Sequence, residues 1–283
     1  MKIGIFDSGL GGLVVARAIQ KGLPEYDYVY LGDTKRVPYG NRSHEAVFEF
    51  TQEAMDYLFR KENCAIVIIA CNTVSAQALR KMQQEYLPKE FPERKILGVL
   101  IPALEEATYF KKIGILATRG TVESKTFPIE IKKILALRNF GEGGNQKIKV
   151  FQNSAPMLVP LVEEGETKLA KPFLQNYLKP FLNKNIDALI LGCTHYILLK
   201  KEIKKILARR SFSEGGLHHV KIISQDEIIP EKLKNYFARH PEIENKLSKK
   251  GTTKILVTDM TQNIKKLSQK WFGETAKPRL VNI

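Results

Sequence analysis

The sequence predicts an α/β fold, two similar three-layer domains with mostly parallel sheets, and three observations carry this. Short, nearly unbroken apolar runs alternate with helical patterns along the chain. The runs end in polar segments bearing Gly, Asp, Cys and Thr. Two of the runs are echoed later, in the same order. Unbroken apolar strands are what a parallel sheet requires when helices cover both its faces. The 283 residues, 43% of them apolar, suffice for two cores, since one domain takes about 100–200 residues.

The first run, Ile3 to Phe6, passes through Asp7-Ser8-Gly9-Leu10-Gly11-Gly12 into a helical pattern at Val14, Val15, Ala18 and Ile19. This is strand, tight turn, helix, with glycines that permit close backbone approach. A second strand, Tyr26 to Leu31, feeds Gly32-Asp33-Thr34-Lys35-Arg36-Val37-Pro38-Tyr39-Gly40, too polar and too rich in Gly and Pro for core. A long helix is predicted over roughly 43–61. Next comes the strand Ala65 to Ala70, ending in Cys71-Asn72-Thr73, and a helix from about Ser75 to Tyr86. Leu87 to Pro92 is a natural break, followed by a strand near 95–99 and a helix through about 103–110.

Residues 112–118 read Lys-Ile-Gly-Ile-Leu-Ala-Thr against Lys-Ile-Gly-Ile-Phe-Asp-Ser at 2–8, a spacing of 110. Ala65 to Thr73 resembles Ala188 to Thr194, each a strand ending in a cysteine, and the cysteines lie 122 residues apart. Two echoes in one order point to two related α/β units. A helix over about 197–209 precedes an irregular stretch, Ser211 to His219, predicted as a surface loop. The strand Lys254 to Asp259 and the helix Gln262 to Phe272 are too short for a third domain and predict a tail that completes one of the first two.

Lys plus Arg number 45 and Asp plus Glu 30, a net charge of +15 with a pI near 9.6. Such a balance can announce a polyanionic partner. Residues 1–100, however, carry 13 basic and 12 acidic side chains, residues 101–200 carry 14 and 9, and residues 201–283 carry 18 and 9. The excess lies in Lys-Lys pairs such as Lys132-Lys133, Lys204-Lys205 and Lys265-Lys266, without a helix-turn-helix, zinc-finger or aromatic-basic pattern. No nucleic acid is expected as primary partner. Three cysteines, at 64, 71 and 193, with no CxxC spacing point to a reducing compartment. The N-terminal run turns polar at Asp7, unlike a signal peptide, and no apolar run approaches the about 18 residues of a membrane span. The expected location is the cytoplasm.

Ligands of parallel sheets bind at the carboxyl ends of strands. The polar residues there are Asp7 and Ser8, Asp33, Cys71 with Asn72 and Thr73, Thr118, and Cys193 with Thr194 and His195. Two cysteines at equivalent strand ends could face each other across a cleft; a thiolate on one side of a carbon and a thiol on the other invert its configuration by removing and returning a proton. The alternatives are a metal held by Cys71, Cys193 and His195, which lacks the usual short ligand spacing, and a hydrolase with one nucleophilic cysteine, which leaves the second unexplained. Cys64 starts its strand, at the opposite end of the sheet, and reads as an inert buried thiol. The Asp7–Gly12 loop lacks a nucleotide-binding signature.

Taken together, Asp7–Gly12, Gly32–Gly40, Ala70-Cys71-Asn72-Thr73-Val74-Ser75-Ala76 and Gly192-Cys193-Thr194-His195-Tyr196 resemble the aspartate/glutamate racemase family, and the long Gly32–Gly40 segment resembles its glutamate-specific members. The resemblance spans about the first 200 residues. It implies that Cys71 takes the α-proton of D-glutamate and Cys193 that of L-glutamate, with Asp7 assisting Cys71 and His195 assisting Cys193. Asp33 and Glu163 are the further acidic residues implied near the site, with Glu164 adjacent to the latter. Ser8, Tyr39, Gly40, Asn72, Thr73, Thr118, Thr121 and Thr194 are implied to hold the substrate's amino and carboxylate groups. The resemblance further implies an active site in the interdomain cleft, no PLP, metal or other cofactor, and a homodimer. The first domain is then 1–94 completed by 211–283, and the second is 95–210. A two-cysteine racemase of aspartate or a related small acid is the alternative. Ile197 stands where the family usually has proline and Ala155 where it often has cysteine, and neither change removes an implied catalyst.

Overall fold

A computed structural model describes residues 1–139, 147–166, 168–213 and 219–283, the backbone at 138–139 and 209–213 without side chains. It forms two compact units, Met1–Val99 with Gln225–Ile283, and Leu100–Ser224. The strands, in chain order, are β1 (Lys2–Asp7), β2 (Tyr28–Gly32), β3 (Cys64–Ile69), β4 (Lys95–Gly98), β5 (Lys112–Ala117), β6 (Lys149–Ser154), β7 (Ala188–Gly192), β8 (Lys221–Ile223), β9 (Thr253–Val257) and β10 (Arg279–Leu280).

The first unit holds a parallel sheet in the order β10-β9-β2-β1-β3-β4. The second holds a parallel sheet in the order β6-β5-β7-β8. One pattern recurs: the first strand is central, the second lies on one side of it, the third on the other, and the fourth beyond the third. The echoed segments are β1 with β5 and β3 with β7. Every residue of β2, β3 and β7 is buried, which accounts for their unbroken apolar character.

The helix Leu13–Gly22 buries Leu13, Val15, Ala16 and Ile19, and it packs against the tail helices Gln225–Arg239 and Gln262–Phe272. The tail thus packs its helices beside Leu13–Gly22 and extends the first sheet's edge through β9 and β10. At the amino end of that sheet, Glu62 is 5% exposed and accepts from both Lys2 and Lys254, tying β1 to β9. Among the described residues no helix is long and apolar enough to cross a membrane.

Some boundaries differ from expectation. The second domain was expected over 95–210, yet Lys95–Gly98 is hydrogen-bonded to β3 and Lys221–Ile223 to β7, so the chain changes unit at 99/100 and 224/225. Each short strand supplies partners for backbone groups on the outer edge of a fully buried neighbour. The helix expected over 43–61 ends at Asp56 and continues as a π turn, Tyr57–Lys61. The one expected over 75–86 is broken into Asn72–Gln77, Leu79–Lys81 and a π turn, Met82–Tyr86. A 3-10 turn, Thr194–Leu199, precedes the helix Lys200–Ser213. Ser211–Ser213 therefore close a helix, and residues 214–218 of the loop expected there lie outside the described residues.

Close backbone contact sets the carboxyl end of the first sheet. A Cβ on Gly32 would fall inside contact distance of the Gly9 carbonyl oxygen, which accepts the Tyr30 hydroxyl at 2.7 Å. Gly32→Ala is expected to push the Gly9 loop off β2 and destabilise the protein by about 1–3 kcal/mol. Thermal unfolding checks this, and an unchanged Tm would show that the loop yields without penalty.

Candidate active site

In the first unit, the carboxyl ends of β1, β2 and β3 bring together Asp7, Asp33 and Cys71, since Asp33 N–H donates to the Asp7 carbonyl and Ala70 N–H to that of Phe6. Asp7 is 1% exposed, and its Oδ2 accepts the amides of Gly9 at 3.2 Å and Gly12 at 3.1 Å. A Cβ on Gly12 would lie 2.5 Å from Asp7 Cβ, so glycine is what lets the loop fold back over the carboxylate. That loop presents Ser8, whose Oγ lies 3.2 Å from Cys71 Sγ. Asn72 and Thr73, both buried, open the short helix after Cys71.

Asp33 is fully buried and surrounded by donors. Thr258 Oγ1 donates to its Oδ1 at 2.7 Å, and Arg36 Nε and the Tyr39 hydroxyl donate to Oδ2. Arg36 also pairs with Glu53 and lies over the Phe50 ring, against which Tyr39 packs. Burial, followed by the negative charge of Asp33, holds the Tyr39 hydroxyl well above its ordinary pKa, so it stays a donor. The arrangement makes Asp33 the anchor of the Gly32–Gly40 loop. Gly40, half-buried, follows Tyr39 in a 3-10 turn.

In the second unit, Gly192 pairs with Ala117, so Cys193 emerges beside Thr118. Thr118 Oγ1 lies 2.9 Å from Thr121 Oγ1 and caps the turn Arg119–Glu123. Cys193 Sγ lies 3.8 Å from His195 Nδ1, and His195 Nε2 lies 2.9 Å from Glu163 Oε1. Glu164 is exposed, so Glu163 is the carboxylate on the imidazole. Burial pulls the His195 pKa down. Hydrogen bonds to Cys193 and Glu163, with the negative charge of both, outweigh it and raise the pKa to about 10. Thr194 is buried beside the pair.

Four residues that the sequence left unassigned hold these groups. Arg36 and Thr258 fix Asp33, Gln225 Nε2 donates to Asn72 Oδ1 at 3.1 Å, and the Tyr196 hydroxyl donates to the carbonyls of Ala155 and Ala117. Thr258 carried a usable signal, a polar residue ending an apolar strand, whereas Gln225 carried none. Cys64 lies at the amino end of β3, paired with Lys2, and burial pushes its thiol up to about 12. It stays protonated.

A family model described as Asp/Glu/Hydantoin racemase matches residues 13–221. The chain is 36% identical over 287 residues to the glutamate racemase of Aquifex aeolicus (strain VF5), covering 100% of this chain and 98% of that one. The structure of glutamate racemase from Francisella tularensis subsp. tularensis SCHU S4, in complex with D-glutamate, matches with a TM-score of 0.83 at 28% identity, covering 99% of this chain and 97% of that one. The structure of the Aquifex pyrophilus glutamate racemase matches with a TM-score of 0.75 at 34% identity, covering 99% and 98%.

His195 supplies a pH test. Its folded-state pKa is raised from 6.5 to about 10, so the stability its proton contributes is fully present below 6.5 and is lost as pH rises through about 10. Nitrogen-15 NMR is expected to find the His195 ring doubly protonated at pH 8.5, and Glu163→Gln is expected to lower its midpoint by about one unit or more. A wild-type midpoint near 6.5 would remove the charge from this pair.

Proposed function

The chain belongs to the Asp/Glu/Hydantoin racemase family, and on that basis we propose that it interconverts L- and D-glutamate with Cys71 and Cys193 as the two acid–base groups. The observation that carries this is the repeat of one chemical unit at equivalent strand ends. β3 and β7, each third in its sheet, each lead to a thiol with a polar partner, Ser8 at 3.2 Å from Cys71 and His195 at 3.8 Å from Cys193.

The reaction requires these half-sites to act on opposite faces of one α-carbon. The Cys193 thiolate takes the α-proton of L-glutamate, and the Cys71 thiol delivers a proton to the other face. For D-glutamate the roles exchange. His195, charged and buttressed by Glu163, serves as proton donor and acceptor for Cys193. Ser8 donates to Cys71 when it is a thiolate, and Asp7 holds the loop carrying Ser8 while lending its charge to the Cys71 side. An α-proton is very weakly acidic, so the negative charge that develops needs preorganised donors with water kept out. Ser8, Asn72, Thr73, Thr118, Thr121 and Thr194, with the Tyr39–Gly40 segment, are the donors proposed for the substrate's charged groups.

Because the thiols supply acid and base, the scheme calls on no PLP or metal. Glutamate as substrate is supported by the 36% identity to a glutamate racemase and by the likeness to one solved with D-glutamate. We further propose a cytoplasmic homodimer that supplies D-glutamate for peptidoglycan synthesis.

Purified protein without added PLP or metal is expected to erase the circular dichroism of L-glutamate, and faster loss from L-aspartate would reassign the substrate. Cys71→Ala and Cys193→Ala are each expected to lower kcat by about a thousandfold or more while keeping the far-UV spectrum. Product formed in D2O is expected to carry deuterium at Cα. An active Cys193→Ala enzyme, or product free of solvent deuterium, would refute the two-base scheme.

A further inference from the structure

Asn72 follows Cys71 at the carboxyl end of β3 and is 2% exposed. An asparagine amide has an accepting and a donating side, and burial requires a partner for each. Its Oδ1 accepts Gln225 Nε2 at 3.1 Å, whereas its buried Nδ2 has no hydrogen-bond partner among the described residues. Gln225 is itself 0% exposed and opens the helix Gln225–Arg239, at the point where the chain re-enters the first unit.

Gln225 presents Nε2, not Oε1, to Asn72, and this donor goes with one orientation of the Asn72 amide. With the oxygen occupied by an N–H, the NH2 group must take the other side. A buried N–H left unpaired keeps its desolvation penalty uncompensated, so its acceptor is to be sought in a ligand. A carboxylate, an acceptor on both oxygens, fits a neutral donor next to a proton-transferring thiol. The flipped amide would instead turn oxygen lone pairs toward that carboxylate.

We infer that Gln225 is a positioning residue for substrate binding, which orients the Asn72 amide so that Nδ2 donates to the substrate carboxylate. This rests on the glutamate-racemising function proposed above.

Gln225→Glu, when ionised, replaces the donor with a group that only accepts, so it attracts Nδ2 and inverts the Asn72 amide. KM for both enantiomers is expected to rise about tenfold or more, with kcat within about threefold of wild type. Gln225→Met keeps the volume but leaves the amide unfixed, and KM is expected to rise about threefold. In wild type selectively labelled with 15N-asparagine, the Asn72 side-chain resonance is expected to move when D-glutamate is added. A residue that merely fills space would lower Tm on substitution and leave KM alone. KM within about twofold of wild type in both folded variants would overturn the inference, since a lost hydrogen bond is worth more than that. So would an Asn72 resonance that glutamate does not move, a measurement that decides the matter even if neither variant folds. Wild-type protein that fails to racemise glutamate would instead overturn the function on which the inference rests.

Discussion

A central parallel strand with its successor on one side and the next strand on the other forces the connecting loops apart at its carboxyl end. β1 lies between β2 and β3, and β5 between β6 and β7. Loops that part there open the strand ends to a ligand, and the candidate residues Asp7, Asp33 and Cys71 of the first unit and Thr118 and Cys193 of the second stand at those ends. Register does the rest. Asp7 pairs with Gly32, which sets Asp33 beside it, and Gly192 pairs with Ala117, which sets Cys193 beside Thr118. A slip of one residue would turn each of these side chains to the other face.

The strand-end clusters of the two units share a scaffold but differ in electrostatics. Around Cys71 one partner is a hydroxyl, and the carboxylates Asp7 and Asp33 accept from backbone amides, a guanidinium and two hydroxyls. Around Cys193 the partner is an imidazole whose charge is sustained by Glu163, half-buried at 26% side-chain exposure. A charged pair at this depth persists because each member satisfies the other. A racemase has to meet two enantiomers, and two chemically different supports for its thiols are compatible with an equilibrium constant near one, since that constant belongs to the substrates and not to the protein.

The strand core and the polar residues at its ends were legible because they are local. An unbroken run such as Ala65 to Ala70 declares a buried strand, and the polar residue that ends it declares a place where ligands bind. What escaped was non-local or too short to carry a pattern. β4, β8 and β10, of four, three and two residues, have no periodicity, so the sequence does not say which sheet they join. Asp33 meets Thr258 across 225 positions and Asn72 meets Gln225 across 153. Such pairs depend on the tail returning to the first sheet, and a threonine or glutamine in the tail looks like any surface polar residue until it does. Glu163 and Glu164 illustrate the same limit at close range, since only the helical turn carrying them separates the half-buried carboxylate on His195 from the exposed one.

The net charge of +15 invites the view that the protein draws its ligand by its field. The structure argues otherwise. In the helix Gln262–Phe272 the buried positions are Leu267, Ser268 and Trp271, while Lys265, Lys266 and Lys270 are exposed. Lysines on the solvated face of an amphipathic helix are screened within about 8 Å at physiological salt. A small dicarboxylic amino acid needs donors at fixed places for its charged groups, and the donors proposed above are the half-buried Ser8 and the buried Asn72 and Thr118. Oriented dipoles of that kind act at contact distance in a low dielectric, where they outweigh many remote lysines. Substrate affinity should therefore follow the hydrogen bonds that fix those donors, and the surface charge should set solubility and weak polyanion binding instead.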